Sequence, residues 1–288
     1  MFFSLSLSAS ALAAVAPRID VQGHRGCRAV MPENTLAAFN EALRLGVDVL
    51  ETDMQVTKDN AIVLAHDSYI NPERCLGPGG EKPEPEMPFR SLTLEQVKRY
   101  DCGSLPNPLF PGQASRPGEK IPALEELFEL VKTSTYPAAA RVRFNIETKI
   151  SPGEPELTPS PESFAALVLA LVRRYGYEDR VILQSFDKRT LLAMKKLEPR
   201  IRTAMLTDGN NLPFAAVAKA IGAEIISPDA GWITPADIVD LHAAGVQVAP
   251  WTVNEPAGWD LLIKYGVDAI ITDDPAGLVA HLKAKGLR

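Results

Sequence analysis

Residues 47–66 read VDVLETDMQVTKDNAIVLAH, and this stretch decides how the rest of the chain can fold. It contains two runs of strand-forming residues, 47–57 and 61–66, which are separated by a short polar step. Parallel strands need a crossover connection of about a dozen residues or more, and no such length separates these two runs. The stretch therefore predicts an antiparallel hairpin that turns at Asp59-Asn60.

Outside this hairpin, short β-rich runs alternate with amphipathic helical segments, a pattern that predicts βαβ units and a parallel sheet. The predicted strands are 19–24, 47–54, 62–66, 142–148, 181–186, 202–206, 224–227, 246–252 and 269–272. The clearest helical segments are 34–45, 161–175, 188–197, 235–243, 256–264 and 275–284. Without the second arm of the hairpin, eight parallel strands remain. The predicted fold is a (β/α)8 TIM barrel of the α/β class that spans residues 17–288.

Residues 71–120 interrupt this alternation, because they are rich in proline and glycine and show little hydrophobic period. Fifty residues without clear secondary structure are unusual inside a compact domain. We interpret them as a small irregular insertion near the mouth of the barrel, where substrate loops lie in this fold.

The first sixteen residues are almost all apolar or small, which predicts a secretory signal peptide cut after Ala13. The alternative is a short N-terminal tail. Export would place the protein in the periplasm or outside the cell. In that compartment Cys75 and Cys102, which share the irregular insertion, form the natural disulfide pair and leave Cys27 as a free thiol. The alternative is a cytosolic protein with reduced cysteines.

Composition narrows the class of protein. The 288 residues are 46% hydrophobic and 23% charged, and the formal net charge is −6, values of an ordinary globular protein. There is no block of lysine and arginine, so a nucleic-acid partner is not expected. No apolar run reaches the ~18 residues of a membrane span, so stable membrane insertion is not expected either.

Polar side chains cluster where four of the predicted strands end, which is where barrel enzymes build their active sites. The clusters are residues 23–26 (GHRG), 51–53 (ETD), 66–67 (HD) and 145–149 (NIETK). Alternation along a strand places Glu51 with Asp53, and Glu147 with Lys149, on one face. A two-residue turn at Asp59-Asn60 would also pair Asp53 with His66, about 4.5–5.5 Å apart at Cβ.

These residue types suit metal-assisted phosphoryl transfer. Carboxylates of Glu51, Asp53 and Glu147 form an oxygen-only set, which favours a hard divalent cation such as Mg²⁺ or Ca²⁺ over zinc. Beside such a cation, His24 and His66 are candidates for general acid and general base. The planar fork of Arg25 matches a phosphate group.

The ordered motifs resemble those of the glycerophosphodiester phosphodiesterases, and the resemblance covers nearly the whole chain after residue 18. The matching residues are His24-Arg25-Gly26, Pro32-Glu33-Asn34-Thr35, Gly46, Asp48, Glu51, Asp53, Thr57, Asp59, His66-Asp67, Asn145-Ile146-Glu147-Thr148-Lys149, Gln184-Ser185-Phe186, Trp251-Thr252-Val253-Asn254, Gly266-Val267-Asp268 and Ile271-Thr272-Asp273.

The resemblance implies a small-molecule glycerophosphodiester substrate that is split into glycerol 3-phosphate and an alcohol. It implies Glu51, Asp53 and Glu147 as metal ligands, His24 and His66 as the acid–base pair, and Arg25 as the phosphate clamp. By the same resemblance, Lys149 also meets the phosphate and Trp251 lines the glycerol side. The family carries a small insertion after its His-Asp motif, which fits residues 71–120.

Two alternatives remain from the sequence. One is a phospholipase D-like enzyme of the same barrel that acts on intact lipids. It would need an apolar, membrane-facing loop, whereas residues 71–120 are rich in proline, glycine and charge. The other is a non-catalytic barrel that binds phosphorylated polyols, which the presence of both histidines and all three carboxylates disfavours. The sequence leaves open which histidine is the acid, and whether a cyclic phosphate forms.

Overall fold

A computed structural model of the protein describes residues 18–85, 87–209 and 211–288. The predicted signal peptide, residues 1–16, lies outside them. The strands of the described residues are β1 (Asp20–Gly23), β2 (Val49–Val56), β3 (Ile62–Leu64), β4 (Arg143–Thr148), β5 (Val181–Ser185), β6 (Arg202–Thr207), β7 (Ile225–Pro228), β8 (Gln247–Val248) and β9 (Ala269–Thr272). Each coincides with one of the runs predicted from the sequence.

The helices are α1 (Leu36–Leu45), α2 (Leu94–Val97), α3 (Leu124–Thr133), α4 (Pro161–Tyr175), α5 (Lys188–Leu197), α6 (Phe214–Ile221), α7 (Pro235–Ala243), α8 (Pro256–Tyr265) and α9 (Pro275–Ala284). Four of them, α4 and α7–α9, begin with proline, whose missing N–H costs nothing in the first turn. α1 begins two residues after the predicted start, because Asn34 has a φ of +55° and Thr35 caps the helix by accepting from the Ala38 N–H. Short 3-10 helices cover Phe89–Ser91, Pro137–Ala140 and Pro155–Leu157.

Eight of the strands form a parallel sheet in the order β8-β7-β6-β5-β4-β2-β1-β9. Hydrogen bonds close the two ends of this order onto each other: the Asp268 N–H donates to the Val248 carbonyl and the Ile271 N–H to the Pro250 carbonyl, both at 3.0 Å. The predicted TIM barrel is confirmed. The helices pack around it, and large apolar side chains such as Phe39, Phe128 and Phe164 fill the layer between sheet and helices.

β2 and β3 form the predicted antiparallel hairpin, but the predicted register is wrong by one residue. Val56 pairs with Ile62 and Met54 with Leu64, so Asp53 faces Ala65 rather than His66. The turn contains three residues instead of two, because Asn60 adopts a φ of +62° and the Thr57 Oγ1 accepts a hydrogen bond from the Ala61 N–H.

Residues 71–120 are largely irregular, with α2 and one 3-10 helix as their regular parts. They pack against β3 and form a small separate apolar core with it. This core includes Val63 of β3 and Phe89 and Val97 of the insertion. Cys75 is bonded to Cys102, as predicted, and Cys27 is a buried free thiol. The insertion contacts the β1–α1 loop, where the Ala114 N–H donates to the Val30 carbonyl at 2.9 Å.

Within the described residues, no helix is long and apolar enough to cross a bilayer.

Candidate active site

The loop after β1 carries the first two candidate residues, and two glycines give it its shape. A Cβ at Gly23 would lie 2.2 Å from the Gly26 carbonyl oxygen, and a Cβ at Gly26 would lie 2.8 Å from Ala38. Between them, Arg25 has a φ of +49°, a conformation that costs about 1–2 kcal/mol for a residue with a side chain. The Arg25 N–H donates to Glu51 Oε2 at 2.9 Å, which holds this turn against β2.

Three carboxylates meet on the neighbouring strands β2 and β4. Asp53 pairs with Glu147 in the parallel register, and Glu51 lies two residues earlier on the same face of β2. One oxygen from each of the three lies within 4.8 Å of the others, and all three residues are buried. This acidic triad is the set that the sequence predicted.

The electrostatics of the triad fit a cation. Burial raises the pKa of Glu147 to about 8, to which the charge of Asp53 contributes, and burial likewise raises the pKa of Glu51 well above its usual range. Buried carboxylates this close are costly unless a positive charge compensates them. The donors are all oxygen atoms, as hard divalent cations prefer, so the acidic triad could hold a metal ion.

Two cations of the chain lie beside the acidic triad. Lys149 Nζ is 3.1 Å from Glu147 and 3.6 Å from Asp53, and Arg25 Nε is 3.2 Å from Asp53. Burial opposes ionisation of Asp53, yet the neighbouring Arg25 and Lys149 hold its pKa below the usual range. Asp53 therefore has the lowest pKa of the triad.

Each candidate histidine is oriented by an aspartate. Nδ1 of His24 lies 2.6 Å from Asp273, and Nδ1 of His66 lies 2.9 Å from Asp67. Both rings therefore keep Nε2 as the nitrogen left for a substrate. The two histidines differ in exposure: the side chain of His24 is 13% exposed and that of His66 is 38% exposed. Burial lowers the pKa of His24, although its hydrogen bond with Asp273 acts in the opposite direction.

All eight site residues predicted from the sequence line one cavity of about 250 Å³ at the mouth of the barrel; they are His24, Arg25, Glu51, Asp53, His66, Glu147, Lys149 and Trp251. Asp53 and His66 meet there despite the register error, because the chain leaves the strand at Ala65 and His66 no longer has to alternate with it. Trp251 donates its indole N–H to the Ser227 carbonyl and meets Phe186 edge to face at 5.7 Å.

A second cavity of about 400 Å³ adjoins the first. It shares His66, Glu147, Lys149 and Phe186 with it and continues toward Tyr69 and Ile150. The two cavities therefore meet at His66, Glu147, Lys149 and Phe186 at the mouth of the barrel.

Sequence reasoning gave no role to four residues that support the site. Asn34 donates to Asp53 at 3.1 Å, Gln184 donates to Glu51 at 3.4 Å, and Asp273 orients His24. These three stand within the motifs quoted above, and their position there was the available signal. Arg28 also lines the cavity but belongs to none of those motifs.

Comparisons with known proteins agree with this geometry. The model of the glycerophosphoryl diester phosphodiesterase family matches residues 24–277. The chain is 32% identical over 266 residues to a glycerophosphodiester phosphodiesterase of Caldanaerobacter subterraneus subsp. tengcongensis, covering 92% of this chain and 98% of that protein. It is 27% identical over 270 residues to a glycerophosphodiester phosphodiesterase of Bacillus subtilis, covering 90% of this chain and 84% of that protein.

Solved structures show the same architecture. A putative glycerophosphoryl diester phosphodiesterase from Silicibacter pomeroyi superposes with a TM-score of 0.86 at 29% identity, covering 94% of this chain and 95% of that one. A phosphodiesterase from Oleispira antarctica, solved with the product sn-glycerol-3-phosphate, gives a TM-score of 0.76 at 22% identity, covering 92% and 97%.

The family match begins at His24, directly after β1, and continues through β2–β9 to Gly277, so it contains every residue that lines the cavity. The chain therefore belongs to the glycerophosphoryl diester phosphodiesterase family, and it is an enzyme that hydrolyses glycerophosphodiesters.

Proposed function

We propose that the enzyme releases glycerol 3-phosphate and an alcohol with the help of Mg²⁺ or Ca²⁺ held by Glu51, Asp53 and Glu147. The observation that carries this proposal is the acidic triad, buried in a cavity that also contains both histidines. The product named for the Oleispira antarctica phosphodiesterase supports glycerol 3-phosphate as the phosphorylated product.

Each side chain has a part that follows from its position. The guanidinium of Arg25 and the ammonium of Lys149 bind phosphate oxygens, since both lie in the cavity next to the acidic triad. Trp251 forms an apolar wall for the glycerol carbons. When bound, the divalent cation offsets the negative charge that develops on the phosphoryl oxygens.

His24 and His66 move the protons. Their Nδ1 atoms are held by Asp273 and Asp67, so the proton transfers occur at Nε2. One histidine takes a proton from the attacking oxygen, and the other gives a proton to the leaving alcohol. Water supplies the hydroxyl that ends on the phosphate, directly or after attack by an adjacent glycerol hydroxyl.

Release of glycerol 3-phosphate from glycerophosphocholine tests the proposal. We expect EDTA to abolish turnover and Mg²⁺ or Ca²⁺ to restore it. Full activity of protein shown to be metal-free would refute the metal's role. Intact phosphatidylcholine should not be cleaved, and its cleavage would instead support the phospholipase D-like alternative.

Histidine variants test the acid–base roles. His24→Ala and His66→Ala should each lower kcat by about 10²–10⁴-fold while leaving cation affinity largely intact. His242→Ala is a matched control: His242 lies 2.9 Å from Asp268, as His66 does from Asp67, with a side chain 42% exposed, but outside the cavity. A His66→Ala enzyme with the kcat of the His242→Ala control would contradict the assignment.

The proposal includes export, with residues 1–16 as a signal peptide cut after Ala13. The Cys75–Cys102 disulfide supports it, because such bonds persist in oxidising compartments. Intact-mass measurement on fractionated cells should find a mature chain that begins at Ala14 in the periplasm or the medium. A full-length chain in the cytosol with reduced cysteines would contradict it.

A further inference from the structure

Glu33, in the loop between β1 and α1, is the meeting point of three arginines. Its carboxylate accepts from Arg25 Nη1, Arg28 Nε and Arg74 Nη1, each at 2.7 Å. The Glu33 side chain is only 10% exposed. Burial opposes its charge, yet the three guanidinium groups hold the pKa of Glu33 below its usual range, so it is ionised.

Two of these arginines line the catalytic cavity, and Glu33 is the anion that holds each most closely. Arg25 lies 3.2 Å from Asp53, and Arg28 lies 3.8 Å from Asp273, so both secondary contacts are longer than those to Glu33. Arg28 is also placed over the ring of Phe110, at 5.1 Å from its centroid. Without Glu33, Arg25 would keep the charges of Asp53 and Glu51, and Arg28 would keep its contact with Asp273, but both would lose their shortest contact with an anion.

The third arginine comes from the insertion. Arg74 precedes the disulfide-bonded Cys75, so the insertion's small core and its covalent closure restrain the backbone that carries this side chain. Its contact with Glu33 spans 41 residues of sequence and joins the insertion to the loop that carries Arg25. A buried carboxylate that serves several cations is held more firmly when each of its oxygens is occupied.

We propose that Glu33 is a positioning residue for phosphate recognition, which fixes Arg25 and Arg28 in the cavity, and that Arg74 makes the insertion part of this support. The inference rests on the proposed function, specifically on Arg25 as a phosphate ligand. It gives the insertion a role at the site, because the insertion supplies one of the three guanidinium groups that hold Glu33.

Variants of Arg74 carry the test, because its side chain is partly exposed and does not line the cavity of the acidic triad; it lines an adjoining cavity that shares His66. We expect Arg74→Ala to raise both KM and the inhibition constant of glycerol 3-phosphate by about 3–10-fold with kcat within about twofold, the pattern of weakened substrate binding. Arg74→Lys retains the single charged contact and should recover most of the affinity. Glu33→Gln should have a larger effect, about 10–100-fold.

Arg99→Ala is the matched control, since Arg99 belongs to the same insertion and pairs with Glu95 at the surface. It should leave KM, kcat and the inhibition constant at wild-type values. A merely structural role of Arg74 would lower the active fraction, and hence the apparent kcat, at unchanged KM. That result, or an Arg74→Ala enzyme equal to Arg99→Ala, would overturn the inference, even if Glu33→Gln failed to fold.

Arg25→Ala distinguishes a failure of the role of Glu33 from a failure of the proposed phosphate-binding role of Arg25. If Arg25→Ala leaves the inhibition constant of glycerol 3-phosphate unchanged, Arg25 is not a phosphate ligand, and both statements fail. If Arg25→Ala weakens inhibition while Arg74→Ala and a folded Glu33→Gln do not, the phosphate role of Arg25 stands and only the role of Glu33 is refuted.

Discussion

Glu147 is the member of the acidic triad whose protonation should affect the binding of a cation. Burial holds its pKa at about 8, so near neutral pH it carries a proton that an incoming cation must displace. Affinity for Mg²⁺ or Ca²⁺ should therefore rise between about pH 6 and pH 9, by as much as about tenfold per pH unit for each displaced proton. Calorimetry in two buffers of different ionisation enthalpy measures both the affinity and the protons released.

Glu147→Gln is the appropriate comparison for this titration. It removes one ligand and one titrating group, so it should bind the cation more weakly and release fewer protons. A wild-type affinity that is constant between about pH 6 and pH 9, without proton release, would contradict the raised pKa of Glu147.

At the scale of residues, the sequence predicted side chains at the ends of strands but not those that orient them. Glu51, Asp53 and Glu147 follow from strand alternation, because period two places them on the face that points into the barrel. Asp273 could not be paired with His24 in this way, since 249 positions separate them and only barrel closure brings them together. The hydrogen bond from Asn34 to Asp53 was not predicted, because the sequence pattern places Asn34 in a helix, whereas its backbone is left-handed.

At the scale of elements, the hairpin shows where pattern alone is insufficient. The alternation of β2 and β3 predicts their pairing, but the register depends on whether two or three residues form the turn. The third turn residue, Asn60, is the one with positive φ, and the hydroxyl of Thr57 stabilises this wider turn. Neither feature is visible in the alternation of apolar and polar residues.

Substitutions at Asn60 test this turn. Glycine adopts a φ of +62° without a Cβ penalty, so Asn60→Gly should change the free energy of unfolding by less than about 0.5 kcal/mol. Asn60→Val should lower it by about 1–2 kcal/mol, because a β-branched side chain clashes in this backbone region. Equilibrium unfolding in urea measures both, and equal stability of the two variants would contradict the observed turn.

The three cysteines predict how many thiols the protein exposes before and after reduction. Cys27 is fully buried, and burial raises the pKa of its thiol to about 12, so the native protein should react slowly with a thiol reagent. Denatured, unreduced protein should titrate as one thiol, and reduced protein as three. The Cys27→Ser variant should show none before reduction. Three thiols in unreduced protein from an oxidising compartment would refute the disulfide.

Losing this bond should loosen the insertion before the barrel. In the chain-entropy model, closing a loop of this length contributes about 3–4 kcal/mol. The Cys75→Ser/Cys102→Ser variant should therefore show faster hydrogen exchange in residues 71–120, whose small core is separate from the main one, than in the barrel strands. Uniformly faster exchange throughout the chain would contradict this independence.

At the scale of the whole molecule, the count of strands was enough to predict the architecture. Short connections and one hairpin leave eight parallel strands, and a right-handed βαβ series of that number closes on itself. The predicted strand at 246–252 is regular only over β8, because Pro250 has no N–H to donate. Its carbonyl nevertheless accepts from Ile271 and helps to close the barrel.

Closing the barrel around three carboxylates should make the stability of the metal-free protein depend on pH. In the unfolded chain Glu147 loses its proton near its ordinary pKa of 4.5, whereas in the folded protein burial holds that pKa at about 8. Between these values the folded state binds more protons, so the free energy of unfolding should fall as pH rises, by at most about 1.4 kcal/mol per pH unit from this group. Unfolding in guanidinium chloride with EDTA at several pH values measures this slope.

Glu147→Gln and added cation should each remove the instability, for different reasons. The glutamine does not titrate, so the metal-free variant should lose less stability toward about pH 8 and exceed the wild type there, whereas exposed Glu95→Gln should keep the wild-type slope. Mg²⁺ or Ca²⁺ at 100 times its Kd should add about 2.7 kcal/mol to the wild type. The glutamine variant should gain less at the same concentration, because it has lost a ligand. If the metal-free wild type and Glu147→Gln unfolded with the same pH dependence, burial and the charge of Asp53 would not raise the pKa of Glu147, and the triad would not need a cation to compensate it.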